Sequence, residues 1–148
     1  MRARRTMTAV MCVLAALWLA ACGSGGQSHP SDNNDAVRQA VLAAVDRAES
    51  VEVKGSSSGF ARGLLIEAVV AGAEPLAADD LESLVLAARD ASSRDPDYYR
   101  LRASTSARVV VDLTAAADEL GLDWASYPDG ISLTSTVVDE KYGPRTER

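Results

Sequence analysis

From Asp35 onward, apolar residues recur at three- and four-residue spacings, at Val37, Val41, Ala44, Val45 and Ala48, while Arg38, Asp46, Arg47 and Glu49 fall mostly off that stripe. The period predicts an amphipathic helix with one buried face, its start capped by Asn34 or Asp35. The period then drops to two. Val51-Glu52-Val53-Lys54 alternates, and after Gly55-Ser56-Ser57-Ser58-Gly59 the run Ala61 to Ala71 alternates again. There Leu64, Ile66, Ala68 and Val70 share one side, and Leu65, Glu67 and Val69 the other. Two such runs joined by a Gly/Ser loop predict a hairpin.

Helical spacing returns at Leu81, Leu84, Val85 and Ala88. Asp79 is placed to cap this second helix, with Glu82 three residues later as its capping-box partner. Asp95-Pro96-Asp97 predicts a turn into a third strand over 98–103, with Tyr99, Leu101 and Ala103 opposite Tyr98, Arg100 and Arg102. A short strand is allowed at 107–111. Asp112 can cap a compact helix through Leu113, Ala116, Ala117 and Leu120 that stops at Gly121. Trp124, Tyr127 and Pro128 read as loop, 131–137 as a final strand, and the residues from Asp139 as a polar tail.

These elements predict a single α+β domain, a mainly antiparallel four- to five-stranded sheet with helices packed on one face. The boundaries expected are 1–21 signal peptide, 22–34 lipidated cysteine and flexible tether, 35–142 folded domain and 143–148 polar tail. The first five elements run helix, strand, strand, helix, strand. This order resembles that of BON domains, small envelope modules associated with phospholipid or partner attachment, while the added helix-strand unit and the long hairpin loop depart from it.

Ahead of the domain the pattern is of another kind. Arg2, Arg4 and Arg5 are followed by an uncharged apolar run from Thr6 to Ala21, which stops at Gly23-Ser24-Gly25-Gly26. A basic end, an apolar middle and small residues at the close form the layout of a secretory signal. The run stops short of the ~20 residues needed to span a bilayer. Leu19-Ala20-Ala21-Cys22 resembles, position for position, the lipobox of bacterial lipoproteins. The resemblance implies cleavage before Cys22, a thioether-linked diacylglycerol on its sulfur and a further acyl chain, such as palmitate, on its new amino group. Stable anchoring needs two chains at about 0.8 kcal/mol per buried methylene, a condition this modification meets. Gly23 to Asn34 has no apolar residue apart from Pro30 and reads as a tether of about 20 Å root-mean-square reach.

Charge narrows the partners. The full chain holds 15 basic and 21 acidic side chains, and cleavage would remove three arginines and no acid, leaving 12 basic against 21 acidic, net −9. Nucleic acid is excluded as a partner, because phosphate neutralisation needs a basic run that this chain lacks. Anionic headgroups would repel the domain, so the membrane is reached through the lipid on Cys22 alone.

Candidate chemistry is sparse. Cys12 would leave with the signal and Cys22 would carry lipid, so the fold holds no thiol and no disulfide. His29, the one histidine, falls in the tether, where a catalytic or metal site cannot be held in geometry. A Ser-His-acid triad, a Cys nucleophile and a typical zinc site therefore all lack parts. Gly55 to Gly59 suggests a phosphate cradle, but no Lys follows its last glycine and a strand comes next in place of a helix. Asp79, Asp80 and Glu82 answer the helix macrodipole rather than forming a metal or acid/base cluster. Lys54 beside Ser56 to Ser58 would need a desolvated lysine in a wet loop. No pair of acids is singled out for glycoside chemistry. No cofactor, no metal and no catalytic residue are expected.

A binding or scaffolding module is the reading left. With helices on one side of the sheet, the other side presents Lys54, Glu67, Tyr98, Arg100, Arg102 and Thr134, a mixture of aromatic, arginine and polar groups of the kind enriched at interfaces. The expected occupant is an envelope protein partner or a second copy. A competing reading is a small-ligand or lipid carrier or sensor of the cell envelope, with a pocket between Trp124, Tyr127 and the sheet.

Overall fold

The structure is a computed structural model and describes residues 30–145. Cys22, His29 and the whole signal segment lie outside the described residues. The element order is α1 (Pro30–Ala44), β1 (Ala48–Ser58), β2 (Ala61–Val70), α2 (Ala78–Ala91), β3 (Tyr98–Ser104), β4 (Val110–Val111), α3 (Thr114–Glu119), β5 (Ala125–Tyr127), β6 (Gly130–Thr134) and α4 (Ser135–Tyr142). The fold is α+β, with a six-stranded sheet in the order β1-β2-β3-β6-β5 and β4 paired to β3.

The sheet is mixed. β2 and β3 run parallel, whereas the other strand pairs are antiparallel. Parallel neighbours need a long crossover, and α2 supplies it. The sequence predicts a purely local hairpin logic and misses this pair, because two alternating runs separated by a helix carry no mark of their relative direction.

One hydrophobic core lies between the helices and one face of the sheet. Val37 and Val41 from α1, Val45 just past its end, and Leu81, Leu84, Val85 and Ala88 from α2 pack on Leu64, Ile66, Ala68, Tyr99, Leu101, Ile131 and Leu133. The expected stripe on α2 is fully buried. On α1 it narrows to Val37 and Val41, with Val45 buried just past the helix end, since Ala44 is exposed and Ala48 already belongs to β1.

Several element ends differ from the expectation. α1 begins at Pro30, five residues before Asp35, with proline at the position where its missing N–H costs nothing. Asn33 holds that extra turn in place. Buried at 3% exposure, its Oδ1 accepts from the Ser93 amide at 2.6 Å, the Ser93 hydroxyl at 2.9 Å and the Ser92 hydroxyl at 3.3 Å. The cap of α2 is Ala77, which makes no side-chain bond, so Asp79 and Glu82 form no capping box. Asp79 and Asp80 instead lie in the first helical turn, facing the macrodipole.

α3 stops where its sequence suggests, but its cap position is Leu113, which makes no side-chain bond, and Asp112 acts from one residue earlier. Asp112 Oδ1 accepts from the Thr114 amide at 2.9 Å and hydroxyl at 2.8 Å, which holds the Asp112 carboxyl below its ordinary range. At the other end Gly121 has a φ of 65°, and the Leu122 and Gly121 amides donate to the Ala117 and Asp118 carbonyls. This is a Schellman stop.

The expected strand over 131–137 ends early. Its alternation holds at Ile131 and Leu133, both fully buried. The Thr134 hydroxyl then accepts from the Val137 amide at 3.3 Å and starts α4. The polar tail is thus helical as far as Tyr142, with Val138 buried.

Candidate interaction face

Among the described residues no helix covers the second face of the sheet, and its side chains fall into rows set by register. Ser56, Gly63, Tyr98 and Thr134 form one row, Lys54, Leu65, Arg100 and Ser132 the next, and Glu52, Glu67, Arg102 and Gly130 a third. Tyr127 closes the third row through its pairing with Gly130.

Side chains in these rows are tied to one another. The guanidinium of Arg100 lies 4.7 Å from the Tyr98 ring centroid and 4.8 Å from that of Tyr127. It donates to the Ser56 hydroxyl at 3.0 Å, and the Tyr98 hydroxyl donates to the same oxygen at 3.1 Å. Arg102 stands 5.1 Å from the Tyr127 centroid, donates to the Pro128 carbonyl at 2.8 Å and reaches Glu67 at 2.9 Å. Cation–π contacts of this kind contribute about 0.5–1 kcal/mol where exposed and more where water is excluded.

Glu67 is the electrostatic junction. Arg102 binds one of its oxygens and Lys54 the other at 3.1 Å. These two bonds, Arg102 first, hold the Glu67 carboxyl below its ordinary range. Lys54 also touches Glu52 at 3.0 Å, and its bonds to Glu52 and then Glu67 raise its ammonium above its ordinary value.

Arg100 differs from these. Every ion pair on the face is made by Lys54 or Arg102, and no described carboxylate pairs with Arg100. Arg62, Arg94, Arg108 and Lys141 likewise form no described ion pair, but all four are solvent-exposed, whereas Arg100 is half-buried. Its guanidinium is therefore fixed and partly desolvated, and among the described residues no carboxylate pairs with it.

A family-model scan, a search of curated proteins and a search of solved structures find no match to this chain.

Five of the six residues singled out by the sequence, Lys54, Glu67, Tyr98, Arg100 and Arg102, are thus brought together. Thr134 stands beside Tyr98 in register, but its hydroxyl is committed to capping α4. Three contributors escape the sequence reading. Tyr127 lies in β5 rather than in a loop. Ser56 belongs to β1 because that strand runs on to Ser58, and Gly63 is the backbone floor under Tyr98. Only the alternation of the 98–103 run pointed toward them, by fixing which face Arg100 takes.

No described groove is lined by Trp124 or Tyr127, where a pocket against the sheet is expected from the sequence. Trp124 packs against the core and donates its Nε1–H to Asp118 at 2.8 Å, while Tyr127 stacks on the open face. The two largest grooves described, about 660 and 650 Å³, lie elsewhere, and neither touches either aromatic. Among the described residues no group of three or more His, Cys, Asp or Glu side chains is placed to hold a metal ion, and no helix is long and apolar enough to cross a membrane.

Proposed function

We propose that this chain is a lipid-anchored extracytoplasmic lipoprotein and a non-catalytic binding module, whose open sheet face docks a protein partner that presents a carboxylate to Arg100. The observation that carries the reading is the fixed guanidinium between Tyr98 and Tyr127 without a carboxylate of its own. Planar, bidentate pairing with a carboxylate is what an oriented guanidinium does best. An Arg flanked by tyrosines and ringed by satisfied ion pairs also has the composition of an interface hot spot.

A protein carboxylate is favoured over an anionic headgroup. The mature chain would carry a net −9, and Glu52 and Glu67 flank the site, so a dense anionic surface is repelled whereas a single carboxylate can fit. Anchorage rests on the basic start, the apolar run and Leu19-Ala20-Ala21-Cys22. Tethering would raise the local concentration of a weak partner at the membrane.

The test is in-cell crosslinking of the full-length protein from a photoreactive residue at Leu65, beside Arg100. A specific protein adduct lost in Arg100→Ala and kept in Ser57→Ala supports the reading. Adducts unchanged by Arg100→Ala, or adducts to lipid alone, reject it.

A further inference from the structure

Among the described strands β1 is outermost, paired on one side only. It is eleven residues long, and among the described residues only β2 pairs with its backbone between Ser50 and Ser58. Exposed edges of this length invite another strand, and proteins commonly blunt them with proline, bulges or short length. β1 contains no proline, and its one irregularity lies at its start, between Ala48 and Ser50.

The outward-facing groups follow from the turn. Gly59-Phe60 closes the hairpin on the Ser58–Ala61 pair, with Gly59 at a φ of 62°. In a two-residue hairpin the pair flanking the turn exchanges both hydrogen bonds, and the pattern alternates from there. The amides and carbonyls of Ser57, Gly55, Val53 and Val51 therefore point away from β2.

We propose that this edge pairs antiparallel with the same edge of a second copy, about a two-fold axis at Val53. Val53 is the midpoint of Ala48–Ser58, so the whole strand maps onto itself. The outward groups of Val53 meet those of Val53 in the second copy, and Val51 meets Gly55, giving about six backbone hydrogen bonds. On the open face Glu52 of each copy falls opposite Lys54 of the other. An axis at Glu52 or at Lys54 would set like charges face to face, which is destabilising. An axis at Val51 or Gly55 leaves both charges opposite serine or alanine. Charge and backbone polarity thus select the same register.

The axis stands perpendicular to the sheet, so both open faces look the same way in one continuous sheet. Val51 and Val53, 6% and 8% exposed, lie at the edge of the core where the second copy would seal them. The dimer forms along the β1 edge, with Glu52 and Lys54 at the rim of the Arg100 face, and does not rest on the docking reading. It doubles the number of docking faces presented together.

Sedimentation of the full chain in density-matched detergent, across a dilution series, tests the pairing. The expected result is a reversible dimer. Gly55→Pro should leave monomer, because its N–H points outward, a Cβ there meets nothing within 4 Å, and edge strands tolerate proline. Glu52→Lys should raise the dimer dissociation constant about tenfold, and adding Lys54→Glu should restore most of it. Circular dichroism melts identify any variant that fails to fold, and the charge exchange decides independently of the proline. A chain that is monomeric at every concentration, or a dimer indifferent to Glu52→Lys, overturns the proposal. Docking at Arg100 is read by crosslinking, so the two can fail separately.

Discussion

Gly63 stands directly opposite Tyr98 across the parallel β2–β3 pair, and the tyrosine ring occupies the space that a Cβ on residue 63 would take. Ring atoms Cδ2, Cε2 and Cζ would all overlap it. This is how a large aromatic on an uncovered sheet face reaches 8% exposure. The glycine supplies the floor, Arg100 covers the ring from the next row, and Ser56 fixes the hydroxyl.

Gly63→Ala is therefore expected to lift the Tyr98 ring and cost about 1–3 kcal/mol, the ordinary penalty of overpacking. Denaturant titration gives the stability change, and the near-ultraviolet tyrosine dichroism should weaken in the folded protein. Unchanged stability together with an unchanged tyrosine signal would show that the ring is not seated on Gly63.

Glu67 makes a pH prediction with a definite sign. Its folded carboxyl titrates below the reference value of 4.5 because Arg102 and Lys54 bind the charged form. Its contribution is full above pH 4.5 and is lost as pH falls through the folded value. Glu67→Gln should lower stability by about 0.5–1 kcal/mol at neutral pH, a small effect because the pair is partly solvated. It should also make stability fall less steeply below pH 4.5. Stability curves for the two proteins that run parallel through that range would contradict the assignment.

Tyr142 is pushed up to about 12 by burial first and by the Glu82 carboxylate close to its hydroxyl second, and among the described residues that hydroxyl makes no hydrogen bond of good geometry. An unsatisfied buried hydroxyl costs free energy. Tyr142→Phe should therefore raise stability by up to about 1 kcal/mol. A lowered melting temperature would mean that the hydroxyl has a partner in solution.

Asn33 separates what the sequence shows from what only packing decides. Residues Ser31 to Asn34 are all polar and read as tether, yet Asn33 is buried because Ser92 and Ser93, some sixty positions on, converge on its oxygen. Local pattern carries no trace of that contact. Asn33→Ala should cost about 1–3 kcal/mol by removing the acceptor of those donors, and it should speed exchange of the amides from Asn34 onward that donate back to the first turn of α1. Unchanged exchange there would show that Asn33 does not hold that turn.

Elsewhere periodicity was sufficient wherever one face is buried along its whole length. Leu81, Leu84, Val85 and Ala88 mark α2, and Tyr99, Leu101 and Ala103 mark β3 with its open-face residues Arg100 and Arg102. The pattern misleads where the sequence and the chain direction part. Ser135 to Val138 is rich in β-branched residues and continues the alternation of Ile131 and Leu133, but the Thr134 cap turns it into α4. Gly55 to Ser58 looks like loop, and becomes strand because β2 pairs with it through to the Gly59-Phe60 turn. Tyr127 joins the face only because β5 folds back on β6. A pairing partner that lies elsewhere in the chain settles each of these cases.

Under the proposed function Arg100, clamped by Tyr98 and Tyr127, receives a carboxylate from a protein partner. The most direct measurement is the yield of the Leu65 photo-crosslink in cells carrying the anchored full-length chain with Arg100, Arg100→Ala or Arg100→Lys. Lysine keeps the charge but loses the planar fork that stacks and pairs bidentately. The expected result is a specific protein adduct that Arg100→Ala abolishes and Arg100→Lys reduces at least about fivefold. The same adduct at the same yield in all three would rule out carboxylate docking at Arg100.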